Sequence, residues 1–238
     1  MKKAIIIGAS SGIGRELAKV LSQEGYTVGL TARRDWLLES LQGELKTESF
    51  IKRMDVTQIG EAMSELEELI HLMNGVDLIV INAGTGFINQ ELDWEKERIT
   101  IDTNVVGFAA LANIAIKHFV QRGSGHLVGI SSIAAFRGNG GAPAYNASKA
   151  FMSNYLEGLR HKVSKLKLPI TVTDIKPGFV DTAMAKGEGK FWVASPEKAA
   201  RQIYDAIRRK KPHAYVTKRW RSIAWLLKTA PDFVYNKM

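Results

Sequence analysis

Two side chains one helical turn apart could form an acid–base group. Tyr145 and Lys149 open a stretch of helical spacing that continues through Ala150–Val163, so both lie on one face of the predicted helix. A free phenol has a pKa of about 10 and is a weak acid–base group near neutrality. A nearby lysine stabilises the phenolate, and lowering the pKa by about three units takes roughly 4 kcal/mol. Ser132, which ends a predicted strand before this helix, could stabilise developing oxyanion charge.

A glycine-rich turn lies between a strand-like segment, Ala4–Ile7, and a segment of helical periodicity, Arg15–Leu21. The turn reads Gly8-Ala9-Ser10-Ser11-Gly12-Ile13-Gly14. Glycines at such a junction let the backbone approach a pyrophosphate, whose charge is met by the amides and dipole of the following helix. The spacing is G-x-x-x-G-x-G and not the common G-x-G-x-x-G of dinucleotide sites. The context therefore predicts a phosphate site, with a plain tight turn as the alternative.

The end of the second predicted strand indicates which nucleotide would bind. A site for a free ribose 2′-hydroxyl places an acidic residue about 20 residues after the glycines, and Ala32 stands there instead. Arg33 could pair with a 2′-phosphate, which favours NADP over NAD. The alternative is that Arg33 and Arg34 are only solvated. Asp35 is interpreted as the N-cap of the next helix and not as a ribose ligand.

Strand-like apolar runs alternate with helix-length amphipathic segments along the chain, which is typical of a parallel sheet covered by helices on both faces. The predicted strands are Ala4–Ile7, Thr27–Thr31, Asp77–Ile81, His126–Ser131, Ile170–Ile175 and Ala214–Thr217. The pattern predicts an α/β fold with one Rossmann-type, doubly wound parallel sheet. Ala183–Ala194, with Gly187 and Gly189, resembles a loop insertion, and Ser195 with Pro196 predicts the start of a helix.

The composition excludes several kinds of site. The chain has 238 residues and 45% apolar residues, as expected of one globular domain. It has no cysteine, which excludes disulfides, iron–sulfur clusters and cysteine zinc sites. The histidines have no metal-ligand spacing, so no metal site is expected; they are His71, His118, His126, His161 and His213. The apolar run after Met1 ends at Gly8, too early for a signal peptide, so a cytoplasmic protein is expected.

The net charge of +9 is concentrated near the C-terminus. Residues 201–238 contain ten Lys and Arg but only Asp205 and Asp232 as acids. The predicted division is a catalytic domain over residues 1–217 and a basic amphipathic tail over 218–238. An apolar stripe of the tail consists of Trp220, Ile223, Ala224 and Leu227. The favoured interpretation is a helix that packs on its own or a neighbouring subunit and caps the pocket. Peripheral contact with anionic lipid is an alternative, and nucleic-acid binding is not expected.

Taken together, these motifs resemble the short-chain dehydrogenase/reductase family. The motifs that carry the resemblance stand in the family's order, and they are Gly8–Gly14, Asn82-Ala83-Gly84, Asn104, Ser132, the pair Tyr145 and Lys149, and Pro177-Gly178. The resemblance covers about residues 3–217. A Tyr and a Lys four residues apart are common on helices, but six motifs in order are specific.

The resemblance implies four catalytic residues. Tyr145 would exchange a proton with the substrate oxygen, and Ser132 would donate a hydrogen bond to it. Ser131, the first serine of the pair, is the less favoured candidate for that role. Lys149 would also bond the nicotinamide ribose, and Asn104 would hold a water that connects Lys149 to solvent.

The resemblance also implies a cofactor site and a substrate pocket. The cofactor-binding residues would be Gly8, Ser10, Ser11, Gly12, Ile13, Gly14, Arg33, Asp55, Val56, Asn82, Ala83, Gly84, Tyr145, Lys149, Pro177, Gly178, Val180 and Thr182. The mostly apolar substrate side would consist of Thr85, Gly86, Phe87, Ala134, Phe136, Met184, Phe191 and Trp192. The expected function is NADPH-dependent reduction of a small carbonyl compound to an alcohol, and the alternative is an NADP-binding redox sensor or scaffold without turnover.

Members of the family form homodimers or homotetramers, so the resemblance implies an oligomer for this chain. Segments Asn104–Gln121 and Tyr145–Ser164 hold more apolar positions than one sheet face covers, so both are expected to pair between subunits.

Overall fold

Strands and helices alternate through residues 2–184 and 191–235, which the computed structural model describes. The strands are β1 (Lys3–Ile7), β2 (Thr27–Ala32), β3 (Ser49–Arg53), β4 (Leu78–Ile81), β5 (Gly125–Ile130), β6 (Ile170–Pro177) and β7 (His213–Val216). The helices are α1 (Gly12–Gln23), α2 (Asp35–Gln42), α3 (Ile59–Leu72), α4 (Trp94–Ile101), α5 (Phe108–Arg122), α6 (Pro143–Ser164), α7 (Pro196–Arg208), α8 (Trp220–Thr229) and α9 (Asp232–Tyr235). A π-helical segment, Asp102–Gly107, joins α4 to α5, and a 3-10 turn, Ile133–Phe136, follows β5.

The strands form one parallel sheet in the order β3-β2-β1-β4-β5-β6-β7. Ile7, at the end of β1, lies opposite Thr31 of β2 on one side and Ile81 of β4 on the other. The chain order reverses between β1 and β4, and ligands of doubly wound sheets bind at such a switch point, outside the carboxyl ends of the strands. The predicted doubly wound parallel sheet is therefore confirmed, and its switch point places the glycine turn after β1 beside the loop after β4.

Two apolar cores cover the two faces of the sheet. Ile6 of β1 packs in one core with Leu17 of α1 and Ile203 of α7. Ile5, its neighbour on the strand, packs in the other core with Leu66 of α3 and Leu156 of α6. Successive strand side chains point to opposite faces, so a strand buried on both sides is continuously apolar. This explains why Ile5 and Ile6 are both fully buried.

One strand was absent from the predicted set. The structure places β3 (Ser49–Arg53) at the edge of the sheet, where it pairs only with β2. Its residues Lys52 and Arg53 interrupt the apolar run, and its side chains are half-buried or exposed. An edge strand has one solvated side and needs no continuous apolar sequence, so periodicity missed it.

The ends of several helices depend on local capping. Ser195 accepts a hydrogen bond from the amide of Lys198, which confirms the predicted start of α7 with Pro196 in its first turn. Asp35 was wrongly predicted as an N-cap: it is the first residue of α2, follows Arg34 in the cap position, and accepts only from the amide of Trp36.

The segment from α4 to α5 is nearly continuous helix. Residues Trp94–Arg122 are long and apolar enough to cross a membrane by length and composition, but half of the most apolar stretch is buried inside the fold. A core helix passes the same test, so this segment is weak evidence for a membrane span. Several apolar side chains of the segment stay exposed, namely Trp94, Ile99, Ile101, Val106 and Val120.

Helix α6 keeps three apolar side chains that are only partly buried, namely Phe151, Tyr155 and Leu159. Met152, Leu156 and Val163 are buried in the core, and Tyr155 packs edge-on against Phe108 of α5. The three partly buried side chains lie at the edge of this core, so the pairing of α6 between subunits stays a prediction.

Candidate active site

A cleft of about 1420 Å³ lies at the carboxyl ends of the strands. It runs past the switch point between β1 and β4. Most of the predicted site residues line it, from the glycine turn at one end to the loop after β6 at the other. Among the predicted catalytic and cofactor-binding residues, only Gly14 and Asn104 do not line it; they lie behind the wall of the cleft and contact residues that form it.

The glycine turn depends on close backbone contacts. Gly8 has a φ of +90°, and a Cβ on it would lie 2.7 Å from backbone atoms of Ala83. A Cβ on Gly14 would lie 2.1 Å from the carbonyl oxygen of Gly8. Asn82 donates through Nδ2 to the same carbonyl oxygen at 2.7 Å. Any side chain at Gly8 or Gly14 would thus push the turn away from the loop after β4.

The first turn of α1 is free to bind an anion. Its N-cap, Ser11, forms no capping hydrogen bond through its side chain, and no acidic residue lies in the first turn. The amides of this turn therefore keep their hydrogen-bonding capacity and the positive end of the helix dipole. Arg33 is exposed on the cleft wall, and the neighbouring Arg34 donates to Ser10 Oγ at 3.3 Å. A phosphate in this part of the cleft would meet amides, hydroxyls and guanidinium groups.

Asp55 and Val56 form the wall after β3. Asp55 accepts hydrogen bonds from the amide and the hydroxyl of Thr57 through one carboxylate oxygen, at 3.0 and 2.8 Å. This turn holds the carboxylate in place at the rim of the cleft. A Cβ on Gly107 would lie 2.4 Å from the carbonyl oxygen of Val56, so the π-helical segment packs directly behind this wall.

Lys149 is buried beneath Tyr145 on α6. The helix begins at Pro143, so both residues lie in its first two turns. Lys149 Nζ lies 5.8 Å from the centre of the Tyr145 ring and donates to the carbonyl oxygen of Ile130 at 3.0 Å. Burial lowers the pKa of Lys149 to about 8. The two residues are therefore on one face of the helix, as the spacing predicted.

The Tyr145 hydroxyl lies close to Ser132. Burial raises the pKa of Tyr145, and a hydrogen bond with Ser132 opposes that rise. Ser132 caps the 3-10 turn by accepting from the amide of Ala134 at 3.1 Å, and its hydroxyl is 3.4 Å from the carbonyl oxygen of Pro177. Ser131 bonds elsewhere, to Asp174 behind the sheet. Only the second serine of the pair thus faces Tyr145.

Asn104 is a fully buried residue of the π-helical segment. Its Oδ1 accepts from the amide of Thr85 at 2.9 Å, and its Nδ2 donates to the Thr85 carbonyl at 2.7 Å and to Ser148 Oγ at 2.9 Å. A Cβ on Gly84 would lie 3.3 Å from both Asn104 Oδ1 and Lys149 Nζ. Asn104 therefore holds the loop after β4 against α6, beside Lys149.

The loop after β6 crosses over the glycine turn. A Cβ on Gly12 would lie 3.0 Å from the side chain of Thr182, and Val180 forms a bridge with Ala194. Pro177, Gly178, Val180 and Thr182 all line the cleft. Residues 185–190 of the predicted insertion, including Gly187 and Gly189, lie outside the described residues.

Two predictions for the substrate side were wrong. Phe136 points away from the cleft, stacks on Tyr215 of β7 and lies over Lys176. Trp192 does not line the cleft; its ring packs edge-on against Trp220. The remaining predicted residues on this side, Thr85, Gly86, Phe87, Ala134, Met184 and Phe191, all line it. The resemblance placed Phe136 and Trp192 on the substrate side but could not tell which way each ring turns.

The C-terminal segment forms a wall of the same cleft. Trp220, Ile223 and Leu227 of α8 line it, as does Tyr235 of α9. Trp220 is 1% exposed, and a Cβ on Gly178 would lie 2.1 Å from its indole ring. Its ring also contacts those of Phe179 and Phe191, with centres 5.4 and 5.0 Å apart. Sequence analysis did not assign these residues to the pocket individually, although the spacing of the tail stripe was a usable signal.

Arg137 ties the end of the described chain to the cleft. It forms an ion pair with Asp232 at 2.7 Å and lies 4.6 Å from the centre of the Tyr235 ring. The Tyr235 hydroxyl donates to the carbonyl oxygen of Gly138 at 2.5 Å. These contacts hold α9 against the glycine-rich segment Gly138–Gly141, which precedes α6.

Comparison with known proteins places this geometry in a family. Residues 2–191 match the family model described as short chain dehydrogenase, and that range contains all four predicted catalytic residues. An uncharacterised oxidoreductase of Myxococcus xanthus is 40% identical over 188 residues, covering 77% of this chain and 74% of the relative. An uncharacterised oxidoreductase of Mycobacterium tuberculosis is 32% identical over 225 residues, covering 90% of this chain and 88% of the relative.

Solved structures agree with the sequence matches. A short-chain dehydrogenase from Streptomyces avermitilis superposes with a TM-score of 0.82 at 26% identity, covering 96% of this chain and 91% of that one. A variant of the actinorhodin polyketide ketoreductase, solved with NADPH, gives a TM-score of 0.79 at 25% identity, covering 90% and 94%. The chain is thus an NAD(P)-dependent oxidoreductase that belongs to the short-chain dehydrogenase/reductase family.

Proposed function

We propose that this oxidoreductase uses NADPH to reduce a ketone or aldehyde to an alcohol, reversibly, with Tyr145 as the acid–base residue. The observation that carries the proposal is the meeting of Tyr145, Ser132 and Lys149 in one cleft that continues into the glycine turn. One end of the cleft suits a dinucleotide phosphate and the other has an apolar wall. The reacting groups lie between them.

The residues of the cleft fit NADPH. The uncapped amides of α1 would hold the pyrophosphate, and Arg33 would pair with the 2′-phosphate. Val180 and Thr182 would orient the carboxamide, and Lys149 would bond the ribose of the nicotinamide. When bound, the cofactor supplies the hydride. The bound NADPH of the actinorhodin ketoreductase supports the choice of cofactor.

The protonation states of the site suit reduction. Burial raises the pKa of Tyr145 and lowers that of Lys149 to about 8, so at neutral pH the phenol is protonated and most of the lysine is cationic. Tyr145 can therefore donate a proton to the substrate oxygen. The charge of Lys149 then stabilises the phenolate, and the Ser132 hydroxyl stabilises charge on the substrate oxygen. Asn104, beside Lys149, would hold the water through which the proton is replaced.

The competing function is an NADP-binding sensor or scaffold without turnover. A sensor needs only the phosphate and ribose half of the cleft, whereas this chain also brings Ser132, Tyr145 and Lys149 together. Turnover of any compound in a panel of decanal, cyclohexanone, acetophenone and 1-phenyl-1,2-propanedione, or of the matching alcohols with NADP, would exclude the sensor. Failure of a broad panel would favour it.

Replacing Tyr145 by Phe tests the mechanism. The Phe ring fills the same space but carries no hydroxyl, so Tyr145→Phe should keep NADPH affinity while kcat falls by about 10² or more. Steady-state kinetics and fluorescence titration measure the two quantities. Activity within a few-fold of the wild type would refute the role of Tyr145.

We also propose that the protein works as a homodimer or homotetramer. The exposed apolar side chains of the α4–α5 segment, Trp94 and Val106 among them, form the face for this contact. Light scattering at micromolar concentration should give a mass of at least twice that of the chain, and a monomer would contradict the proposal.

A further inference from the structure

A buried carboxylate lies behind the catalytic residues, outside the cleft. Asp174, in β6, has no exposed surface. It accepts hydrogen bonds from Ser131 and from Ser153, the latter at 2.8 Å, and it pairs with the ammonium group of Lys176. An unpaired carboxylate at such a position would be strongly destabilising, so the contacts with these three partners stabilise it there.

The three partners belong to the three segments that carry the reacting groups. Ser131 immediately precedes Ser132 at the end of β5. Ser153 lies on α6 one turn beyond Lys149, and so two turns beyond Tyr145 on the same face. Lys176 immediately precedes Pro177, the last residue of β6, after which the loop that contains Val180 and Thr182 begins. One carboxylate thus connects the end of β5, helix α6 and the end of β6.

Further contacts complete this network. The Ser131 hydroxyl oxygen also lies 3.0 Å from the carbonyl oxygen of Ile175 and 3.4 Å from the hydroxyl oxygen of Ser153. Phe136, which follows Ser132 in the 3-10 turn, covers the ammonium group of Lys176 with its ring centre 5.7 Å away. Burial lowers the pKa of Lys176 to about 8. The outward turn of Phe136 therefore closes the network from solvent.

A buried ion pair is weak support for stability, since well-packed apolar residues often stabilise a core as well or better. Its hydrogen bonds are directional, however, and they fix the relative positions of the groups they join. The Ser132 hydroxyl and the Tyr145 phenol must both reach one substrate oxygen, and a misplacement of about 1 Å from outside a site can cost about 10²-fold in rate.

We propose that Asp174 is a positioning residue, which sets Ser132 against Tyr145 and Lys149 through Ser131 and Ser153. The proposal rests on the proposed function, because it assigns Asp174 to the geometry of that reaction. Asp174 does not line the cleft, so it would touch neither substrate nor cofactor. Replacing Asp174 should therefore lower the rate of the chemical step and change the affinities for substrate and cofactor much less.

Ser153 offers the least disruptive test, because it is half-buried and contributes one hydroxyl. Ser153→Ala should lower kcat about tenfold, with KM and the Kd for NADPH within about twofold of the wild type. Ser153→Thr keeps the hydroxyl and should restore kcat to within about twofold. Ser164→Ala, at the exposed end of the same helix, is the matched control and should leave kcat unchanged. Each variant is assayed with the panel compound that the wild type reduces fastest.

Asp174→Asn is the second variant, and it should lower kcat more than Ser153→Ala does. If Asp174→Asn does not fold, the comparison of Ser153→Ala with Ser153→Thr tests the proposal without it. Wild-type kcat in Ser153→Ala, or an equal loss in Ser153→Ala and Ser153→Thr, would overturn the proposal. Tyr145→Phe in the same assay distinguishes failure of the positioning role from failure of the proposed function. If it is inactive while Ser153→Ala is fully active, only the positioning role fails; if it is fully active, the proposed function fails and the positioning role with it.

Discussion

The Tyr145 ring lies directly against the backbone of Gly86. A Cβ on Gly86 would come within 2.4 Å of the ring atom Cδ2, closer than real side chains approach. The requirement for glycine here is thus one of space, and the backbone conformation at Gly86 is ordinary. The loop after β4 acts as a wall that sets the plane of the phenol.

Gly86→Ala should therefore displace Tyr145. We expect kcat to fall about tenfold or more, while NADPH affinity changes by less than about threefold because the phosphate end of the cleft is untouched. Gly158→Ala is the control: it lies on the same helix as Tyr145, and nothing lies within 4 Å of its added Cβ. That substitution should keep kcat and raise stability by about 0.5–1 kcal/mol. Wild-type kcat in Gly86→Ala would contradict the claim that the backbone at Gly86 sets the position of the Tyr145 ring.

Arg33 is the residue on which the proposed preference for NADPH rests. NADPH should bind more tightly than NADH by about 1.5–3 kcal/mol, the contribution of a charge-assisted phosphate contact. Arg33→Asp should reverse the order, because a carboxylate repels the phosphate and accepts from a free 2′-hydroxyl. Arg209→Asp changes the charge equally at an exposed position after α7 and should leave the order intact. Equal dissociation constants for both cofactors in the wild type would refute the prediction.

At the scale of elements, β5 and β6 are joined by a buried histidine. His126 Nε2 lies 2.8 Å from Thr173 Oγ1, and that hydroxyl donates its proton to the carbonyl oxygen of Lys211. The histidine must therefore be the donor in the pair. Burial lowers the pKa of His126 to about 4, so the folded protein holds it neutral under mildly acidic conditions.

This histidine should make the fold sensitive to acid. Between its ordinary pKa of about 6.5 and its folded value of about 4, the unfolded chain binds more protons, so stability falls as the pH falls through that window. Urea unfolding of the wild type should lose about 1–2 kcal/mol more between pH 7 and pH 5 than that of His126→Gln, which keeps a donor but does not titrate. His71→Gln, at an exposed position, should behave as the wild type. The same acid sensitivity in His126→Gln would exclude this residue as the cause.

At the scale of the whole molecule, the C-terminal helix belongs to the catalytic domain's cleft. The inner face of α8 is buried against Gly178 and the neighbouring aromatic rings, while Trp225 on its outer face is 69% exposed. Phe233 of α9 is also exposed. The apolar stripe of the tail therefore packs against protein, and lipid contact stays the less favoured alternative. Salt-sensitive co-sedimentation of the full chain with anionic vesicles would reverse that preference.

The two tryptophans of α8 should differ sharply in their contribution to stability. Trp220→Ala removes a ring that is 1% exposed and should lower the free energy of unfolding by about 3–5 kcal/mol. Trp225→Ala should change it by no more than about 0.5 kcal/mol. Chemical denaturation measures both. Equal effects would mean that the helix does not pack on the domain as described.

How much of the fold could be predicted depended on how each strand is buried. The central strands are apolar on both faces and were recognised by composition, whereas β3 at the sheet edge carries Lys52 and Arg53 and was missed. Within the site, spacing placed Tyr145 and Lys149 on one face of a helix. The prediction that Phe136 and Trp192 lie on the substrate side was wrong. The orientation of each ring depends on neighbours that are distant in sequence, such as Tyr215 and Trp220.

The alternation of elements, the glycine turn after β1 and the family motifs depend on local spacing and periodicity, so they could be predicted from the sequence. The contacts of Asp174 with Ser131 and Ser153, and of Trp220 with Gly178, depend on the folded chain. Both contacts link residues more than 20 positions apart. They form because the parallel sheet brings the carboxyl ends of its strands to one edge, where side chains from separate segments share the same buried space.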